Sequence, residues 1–248
     1  MDILKVLSIV LVVFVAVLAA YVPFAKRYYD RLQSDFPMGE ALAAGVFLGA
    51  GLLHMLPEAD SGFKLAGSHY PWAFMLAGAM FLVLLLFEHV GQELHAHEKS
   101  KIGFAVLAMI MLSIHSFLAG AALGLTHIAA VTLVIMIAIL AHKWAASFAL
   151  AIRLVQSQLS LSVALLLFAI FALMTPLGII VGNTVSHGLV RHQFIEPVCA
   201  SLASGTFLYL GTLHGLKQAV MVDKCCNLWR FIWVLIGFVL MAVIAIWV

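Results

Sequence analysis

Long apolar stretches dominate this chain and restrict what it can fold into. Eight windows of about 18–25 mostly apolar residues, each long enough for a helix to cross a bilayer, follow one another along the sequence. Hydrophobic residues make up 65% of the 248 positions and charged residues only 10%, and a soluble domain of this size cannot bury so much apolar surface. The sequence therefore predicts an all-α integral membrane protein with a single transmembrane domain over residues 1–248. Its predicted transmembrane helices lie near residues 3–24, 39–57, 71–91, 102–125, 128–151, 160–184, 195–216 and 229–248.

The first window also has features of a secretory signal peptide. Lys5 precedes an apolar run, and VLAAYV resembles a cleavage site. We favour a retained helix, because the run is long and Lys26, Arg27 and Arg31 follow it closely.

The distribution of lysine and arginine indicates how the helices are oriented. If the N-terminus is outside, nine of the 13 basic residues fall on the inside and three on the outside, while Lys143 lies within a helix. Cytoplasmic loops carry the excess of basic residues in membrane proteins, so we expect both termini to face outward. The formal net charge of +2 is too small to suggest a nucleic-acid partner.

The three cysteines do not form a disulfide framework, because their number is odd and their spacing is irregular. Cys199 lies at a predicted membrane edge. Cys225 and Cys226 are adjacent in a loop beside basic residues, where palmitoylation is an open alternative.

Two segments of the chain resemble each other. GVFLGAGLLHML at residues 45–56 and GTFLYLGTLHGL at residues 205–216 agree at seven of twelve positions, including a histidine. The predicted helices that carry them cross the membrane in opposite directions, which is typical of the inverted-topology repeats of transporters. Chance agreement is the alternative, since glycine, phenylalanine and leucine are common in membrane helices. A repeat predicts His54 near the outer end of helix two and His214 near the inner end of helix seven.

Histidines near the centres of two predicted helices are candidate metal ligands. His115, followed by Ser116, and His142, followed by Lys143, lie at similar depths on helices four and five. A short connection makes these helices neighbours, so we expect the two rings to meet near the midplane. Neutral imidazole suits zinc and also iron, copper and nickel. The alternative is that each histidine bonds across helices and only stabilises packing.

Further candidate ligands lie near the helix ends. His54 and Glu58 are four residues apart at the end of helix two, and they share one face if the turn stays helical. At the end of helix three, Glu88 and His89 lie at the predicted inner surface. A short cytoplasmic loop follows, residues 92–101, whose His-Ala-His tract either binds metal or is simply solvated.

These motifs resemble those of the ZIP family of divalent-metal transporters, over nearly the whole chain. HSFLAGAALGL at residues 115–125 is similar to the helix-four signature, and LAHKWAASFALAIRL at residues 140–154 is similar to helix five of a eukaryotic subgroup with His-Lys there. GVFLGAGLLHMLPEA, MTPLGIIVG and ASGTFLYLG also resemble that subgroup.

The resemblance implies a fold and a function. The fold is an eight-helix bundle built as a three-plus-two-plus-three inverted repeat, and the protein is a homodimer in the plasma membrane. Zinc, or iron, is moved toward the cytoplasm by alternating access, as the transported ion and not as a tightly bound cofactor. Helices one, four, five and six shift against the other four. The implied metal-contacting residues are His115, His142 and Ser116 at the centre, His54 and Glu58 at the outer mouth, and His214, Glu88 and His89 at the inner mouth.

Three acidic residues typical of the family are absent. Ala119 stands where glutamate usually follows the helix-four histidine, Ala146 where many members have glutamate on helix five, and Ala200 where the helix-seven segment often begins with Glu-Gly. The His-Lys subgroup also tends to lack the acid on helix five. Carboxylates neutralise a dication in a low dielectric, whereas neutral imidazoles do not. A degenerate, non-transporting relative with an interaction or sensing role is therefore the alternative function.

An intramembrane hydrolase with a histidine-bound zinc is a third possibility. It needs a general base near the metal, and the central helices offer none, so we expect no enzyme activity.

Lys143 sits beside the candidate metal site. In the resembling subgroup this lysine stands where other members carry a ligand for a second metal, so its ammonium could take that cation's place. A charged Lys143 would repel a metal at His115 and His142. Lys143 could be neutral through burial or paired with Glu88 or another acid. For the metal site, three alternatives remain open: Lys143 is neutral, it points away, or the protein does not carry metal as its relatives do.

Overall fold

Helices account for most of the chain. The computed structural model describes residues 2–29, 36–94, 100–157, 159–188, 194–213 and 228–246, and these ranges contain no β-strand. Their helices are α1 (Ile3–Tyr29), α2 (Pro37–Leu65), α3 (Trp72–Leu94), α4 (Ser100–Leu125), α5 (Ala129–Gln156), α6 (Leu161–Gly188), α7 (Ile195–Tyr209) and α8 (Leu228–Ile244).

The eight helices correspond in order to the eight predicted windows. Six of them, α1 to α6, are long and apolar enough to cross a membrane, and α8 is a shorter apolar helix. Most C-terminal ends extend beyond the apolar windows: α2 continues to Leu65 instead of ending near residue 57, and α5 continues to Gln156. Helical hydrogen bonding does not stop where apolarity stops, because each added turn satisfies backbone groups at the membrane interface.

The helices on either side extend into the range of the predicted 92–101 loop. Helix α3 extends to Leu94 and α4 begins at Ser100, so both helices enter the predicted loop. The His-Ala-His tract at residues 95–97 lies outside the described residues.

Small residues let the helices approach closely. A Cβ added to Gly120 on α4 would lie 2.3 Å from the carbonyl oxygen of Thr175 on α6, and one added to Gly178 would lie 2.2 Å from the carbonyl oxygen of Phe117. Close backbone contact of this kind drives helix association in lipid, where the hydrophobic effect between helices is absent. Helix α4 packs along α6 in this way, and α1 packs along α5.

The two similar segments make reciprocal contacts. Gly51 on α2 would place a Cβ 3.4 Å from the side chain of Leu208, and Gly211 would place one 3.0 Å from the backbone nitrogen of Leu48. The two glycines are 160 residues apart in sequence, and so are the two leucines. This is the offset between the two similar segments, so the second contact repeats the first with the segments exchanged. Phe47 and Phe207 have the same offset, and their ring centroids lie 5.0 Å apart.

The contacts of the two segments with their neighbouring helices, α8 and α3, are also equivalent. A Cβ on Gly45 of α2 would lie 2.0 Å from the carbonyl oxygen of Val234 on α8, and a Cβ on Gly205 of α7 would lie 2.3 Å from that of Ala77 on α3. Helix α2 therefore packs on α8 as α7 packs on α3.

Both segments also change their helical winding at equivalent positions. In α2 the residues Ala50–Met55, which include His54, form a π-helical stretch. The chain after α7 is π-helical over residues 210–213, again 160 positions further on. Such π-turns interrupt the regular hydrogen bonding of a helix and are frequent at functional sites. His214 lies immediately beyond, outside the described residues.

Lys5 is buried, although the charge count placed it among the outward-facing residues. It is 1% exposed, and its Nζ donates to the carbonyl oxygen of Gly124 at 2.8 Å and to Oδ1 of Asn183 at 2.9 Å. Gly124 lies in the last turn of α4, where carbonyl groups lack helical partners and a cation is favourable. Lys5 thus joins α1 to the ends of α4 and α6, an arrangement that spacing alone does not reveal.

Candidate functional site

His115 on α4 and His142 on α5 meet inside the bundle. Their ring centroids lie 5.5 Å apart with the planes at 68°, and the residues are 2% and 3% exposed. Among the described residues, neither nitrogen of His115 and not the Nδ1 of His142 makes a hydrogen bond of good geometry, although the backbone of Ala203 lies close enough to interact with His115, and that of Ala138 with His142. A tetrahedral zinc with Zn–N distances of about 2.0–2.1 Å holds two ligand ring centroids roughly 5 Å apart. The pair therefore has a separation that one ion can bridge.

Phe207 lies against both histidines. Its ring stacks on His115 with centroids 3.9 Å apart and meets His142 edge-on at 5.1 Å. Imidazole lone pairs lie in the ring plane, so a stacked neighbour covers the face of His115 and leaves its nitrogens available. Phe207 thus restricts ring rotation without replacing a ligand.

Lys143 is held by neutral groups. Its Nζ donates to Ser116 Oγ and to Thr175 Oγ1, each at 3.0 Å, and lies 4.1 Å from the ring centroid of Phe171. Two hydroxyls and an aromatic face are favourable partners for an ammonium, but they carry no negative charge. Of the alternatives left open by the sequence, pairing with an acid is not seen among the described residues: the Glu88 carboxylate accepts a hydrogen bond from Tyr209, and no described acid contacts Lys143.

One cavity opens beside the histidine pair, and we call it the His54 cavity. It is a small cavity of about 30 Å³, with His142 at its buried end and the 40%-exposed side chain of Glu58 at its mouth. His54 Nε2 lies 3.6 Å from Glu58 Oε2, so the π-helical stretch still brings these two side chains together. Ala119 and Ala200 also line this cavity. The remaining lining residues are Met55, Leu118, Ala122, Ile135, Ala138, Ile139, Glu196, Cys199 and Ala203.

A second cavity of the same volume, about 30 Å³, lies toward the other ends of α4 and α5, and we call it the Glu40 cavity. Its polar lining residues are Glu40 and Arg153, and Gln156 donates to Glu40 Oε1 at 3.2 Å. The His54 cavity is lined by the C-terminal half of α4 and the N-terminal half of α5, and the Glu40 cavity by the opposite halves. The antiparallel helices therefore place His115 and His142 between the two cavities.

Four of these polar residues were missed by the sequence reasoning. Glu40, Arg153, Glu196 and Cys199 line the cavities, but each lies near a predicted helix end, where a charged or thiol side chain is ordinarily solvated. For the pair on α7 a signal was available, since residues three apart share a helical face and both lie within three turns before the GTFLY segment on the same helix.

The other predicted site residues are dispersed. Ser116 accepts the bond from Lys143, Glu88 accepts the bond from Tyr209, and His89 is exposed on α3. Neither Glu88 nor His89 lines the two cavities. His214 lies outside the described residues. Ala146 is 1% exposed and belongs to the apolar core around the histidines.

Comparison with known proteins identifies the family. A model of the ZIP zinc transporter family matches residues 91–245, well over half of the chain. The chain belongs to the ZIP zinc transporter family. The resemblance noted from the central histidine motifs is thereby confirmed.

Individual ZIP relatives agree with this assignment. The chain is 29% identical to zinc transporter ZIP2 of Homo sapiens over 83% of its own length and 84% of that protein. It is 35% identical to zinc transporter ZIP1 of Danio rerio over 62% of its length and 50% of that protein. It is 37% identical to protein zntD of Dictyostelium discoideum over 65% of its length, but it spans only 25% of that protein.

Proposed function

We propose that this ZIP-family protein carries a divalent metal ion, zinc first and iron second, across a membrane. The observation that carries the proposal is the position of His115 and His142: two buried imidazoles with unpartnered nitrogens meet between cavities that face opposite ends of the bundle. Imidazole suits zinc and iron, and intramembrane ionisable groups mark ion pathways. The relatives named as zinc transporters support zinc as the first substrate.

The proposed mechanism is alternating access built on an inverted repeat. The reciprocal contacts of Gly51 with Leu208 and of Gly211 with Leu48 support a two-fold relation between α1–α3 and α6–α8, with α4 and α5 between them. Access would alternate by movement of α1, α4, α5 and α6 against α2, α3, α7 and α8. The excess of basic residues supports both termini outside, so metal would enter by the His54 cavity and leave toward the cytoplasm. A homodimer in the plasma membrane completes the proposal, and it rests on family resemblance.

The proposal gives each predicted ligand a role, although Glu88 and His89 line neither cavity. His54 and Glu58 would receive the ion, His115 and His142 would hold it at the centre with Ser116 as a weak oxygen donor, and His214, Glu88 and His89 would release it. The 3.6 Å contact of His54 with Glu58 supports the first step.

Uptake measurements test the proposal. Full-length protein in vesicles loaded with a zinc-sensitive fluorophore should take up zinc, and the His115→Ala/His142→Ala variant should lose this uptake. His69→Ala is the matched control, because His69 is exposed and outside both cavities. Uptake that survives the double substitution would remove the central assignment.

A non-transporting role is the second candidate function. It is favoured by alanine at positions 119, 146 and 200 and by Lys143, which lies beside the histidine pair with no compensating acid among the residues that the structure describes. In that case calorimetry should detect no zinc binding to the natural protein, and glutamate at the three alanine positions should create it. Zinc binding by the natural protein would count against this role.

A further inference from the structure

We propose that Glu196 and Cys199 of α7, together with His54 and Glu58 of α2, form a metal-capture site in the His54 cavity. His142 would be its innermost ligand. This inference deepens the proposed transport function and rests on it. The ligand class is a borderline or soft divalent cation such as Zn²⁺ or Cd²⁺.

The side chains of the site line one cavity from two helices. Glu196 lies in the first turn of α7, and Cys199 follows it by three residues on the same face. Glu196 lies close enough to interact electrostatically with the carboxylate of Glu58 and with Cys199. Cys199 is a free thiol, and it is half-buried.

An independent observation indicates a ligand. His142 is 97% buried, lines the same cavity and has an Nδ1 without a hydrogen-bond partner among the described residues. Buried polar atoms are nearly always paired, so an orphaned nitrogen at the end of a cavity lined by acids indicates a missing partner. A cation bound by the imidazole and carboxylates would satisfy it.

The proposed ligands include the carboxyl groups that the central helices α4 and α5 lack beside their histidines. Glu58 and Glu196 supply carboxyl groups, which neutralise a bound dication once they lose their protons, and Ala119, Ala146 and Ala200 do not. Thiolate and imidazole favour zinc and cadmium over magnesium, calcium and manganese, which prefer oxygen ligands. Among the described residues, no three such side chains already surround one point at ligand distance. The exposed side chain of Glu58 must therefore turn inward on binding, as suits a site that loads and then releases its ion.

The two halves of the molecule differ at these positions. The residues 160 positions before Glu196 and Cys199 are Phe36 and Gly39. There the ring of Phe148 packs edge-on against Phe36 with centroids 5.8 Å apart, and it fills the space above Gly39. Apolar packing is therefore sufficient to seal this part of the bundle. An acid and a thiol replace it in the second repeat, at the end of the bundle where they face His54 and Glu58 of the first repeat, so packing alone does not explain them.

Protection of the Cys199 thiol tests the site directly. In a Cys225→Ser/Cys226→Ser background, Cys199 is the sole cysteine of the 248-residue chain. The full-length protein in lipid nanodiscs is labelled with a small maleimide at increasing zinc concentrations. We expect Zn²⁺ and Cd²⁺ to slow labelling and Mg²⁺ to leave it unchanged.

The Glu196→Gln variant then tests whether Glu196 is a metal ligand. Removing even an outer-shell partner typically weakens metal binding about 10–100-fold, so the zinc concentration for half-protection should rise at least about tenfold. Glu93→Gln is the matched control, since Glu93 is exposed on α3, and it should not shift the curve. Cadmium–thiolate absorption in the ultraviolet, abolished by Cys199→Ser, gives a second measurement that needs no labelling.

The outcomes separate this inference from the proposed function. Zinc uptake without any zinc protection of Cys199 would overturn the capture site and leave transport intact. Protection without uptake would support the site and reject transport. A Glu196→Gln curve identical to that of Glu93→Gln would exclude Glu196 as a ligand.

Discussion

The Nζ of Lys143 lies 3.0 Å from the Oγ of Ser116, and each of these residues directly follows one of the two central histidines. The cation is therefore fixed beside His115 and His142 by a hydroxyl instead of by a carboxylate. A second hydroxyl, Thr175 Oγ1, holds it from α6 at the same distance. This arrangement makes the charge of Lys143 the main electrostatic opponent of a metal at the histidine pair.

Lys143→Met should strengthen zinc binding. If the ammonium is charged, its removal eliminates a like charge in a site of low dielectric, and the affinity should rise about tenfold or more, about 1.4 kcal/mol. Isothermal titration calorimetry of the protein in nanodiscs measures this. Lys64→Met is the control, because that side chain is 68% exposed and paired with Asp60. An unchanged affinity would mean that Lys143 is neutral at the pH of the measurement.

Lys5→Met should destabilise the fold. Lys5 is 1% exposed, and its loss removes the donor to the Gly124 carbonyl group and to Asn183. An acceptor left buried without its donor costs about 1–3 kcal/mol. We expect a lower thermal unfolding midpoint in detergent than for Lys64→Met. Equal midpoints for the two variants would show that the buried contacts of Lys5 contribute nothing measurable.

Gly45→Ala and Gly205→Ala should destabilise the protein to a similar degree. The added Cβ would lie 2.0 Å from the Val234 carbonyl oxygen in the first case and 2.3 Å from that of Ala77 in the second. Either helix pair must separate, and such overpacking costs about 1–3 kcal/mol. Gly78→Ala has open space around the new methyl group and serves as control. Unfolding midpoints that differ strongly between the two variants would contradict equivalent packing of the two halves.

Much of the fold could be predicted from the sequence, because the bilayer dictates the length and apolarity of each helix. The meeting of His115 with His142 followed from their similar depths and the short connection between α4 and α5. The burial of Lys5 could not be predicted, since it depends on which carbonyl groups α4 presents to α1. Glu196 and Cys199 were missed for a similar reason: whether a residue at a helix end faces water or a cavity is decided by the neighbouring helix.

Ala200 and Ala146, two of the three alanines at usually acidic positions, should respond differently to glutamate. Ala200 is half-buried in the lining of the His54 cavity, and its counterpart 160 residues earlier is Glu40, which lines the other cavity. Ala200→Glu should therefore be tolerated and should increase zinc affinity about tenfold by adding a charged ligand. Ala200→Gln, of the same size but neutral, is the matched control, and equal affinities would show that the added charge plays no part.

Ala146→Glu should instead lower stability. Ala146 is 1% exposed in the apolar core, so a carboxylate there must displace packed side chains and lose its hydration. Lys143 lies three residues earlier on the same face and can offset part of this cost, but desolvation of a buried ion pair often exceeds the attraction between its charges. We expect a lower unfolding midpoint for Ala146→Glu than for Ala200→Glu. If Ala146→Glu proves as stable as the natural protein and binds zinc more tightly, the centre of the bundle has room for a carboxylate beside the histidines, and the assignment of the capture site to the His54 cavity loses its electrostatic reason.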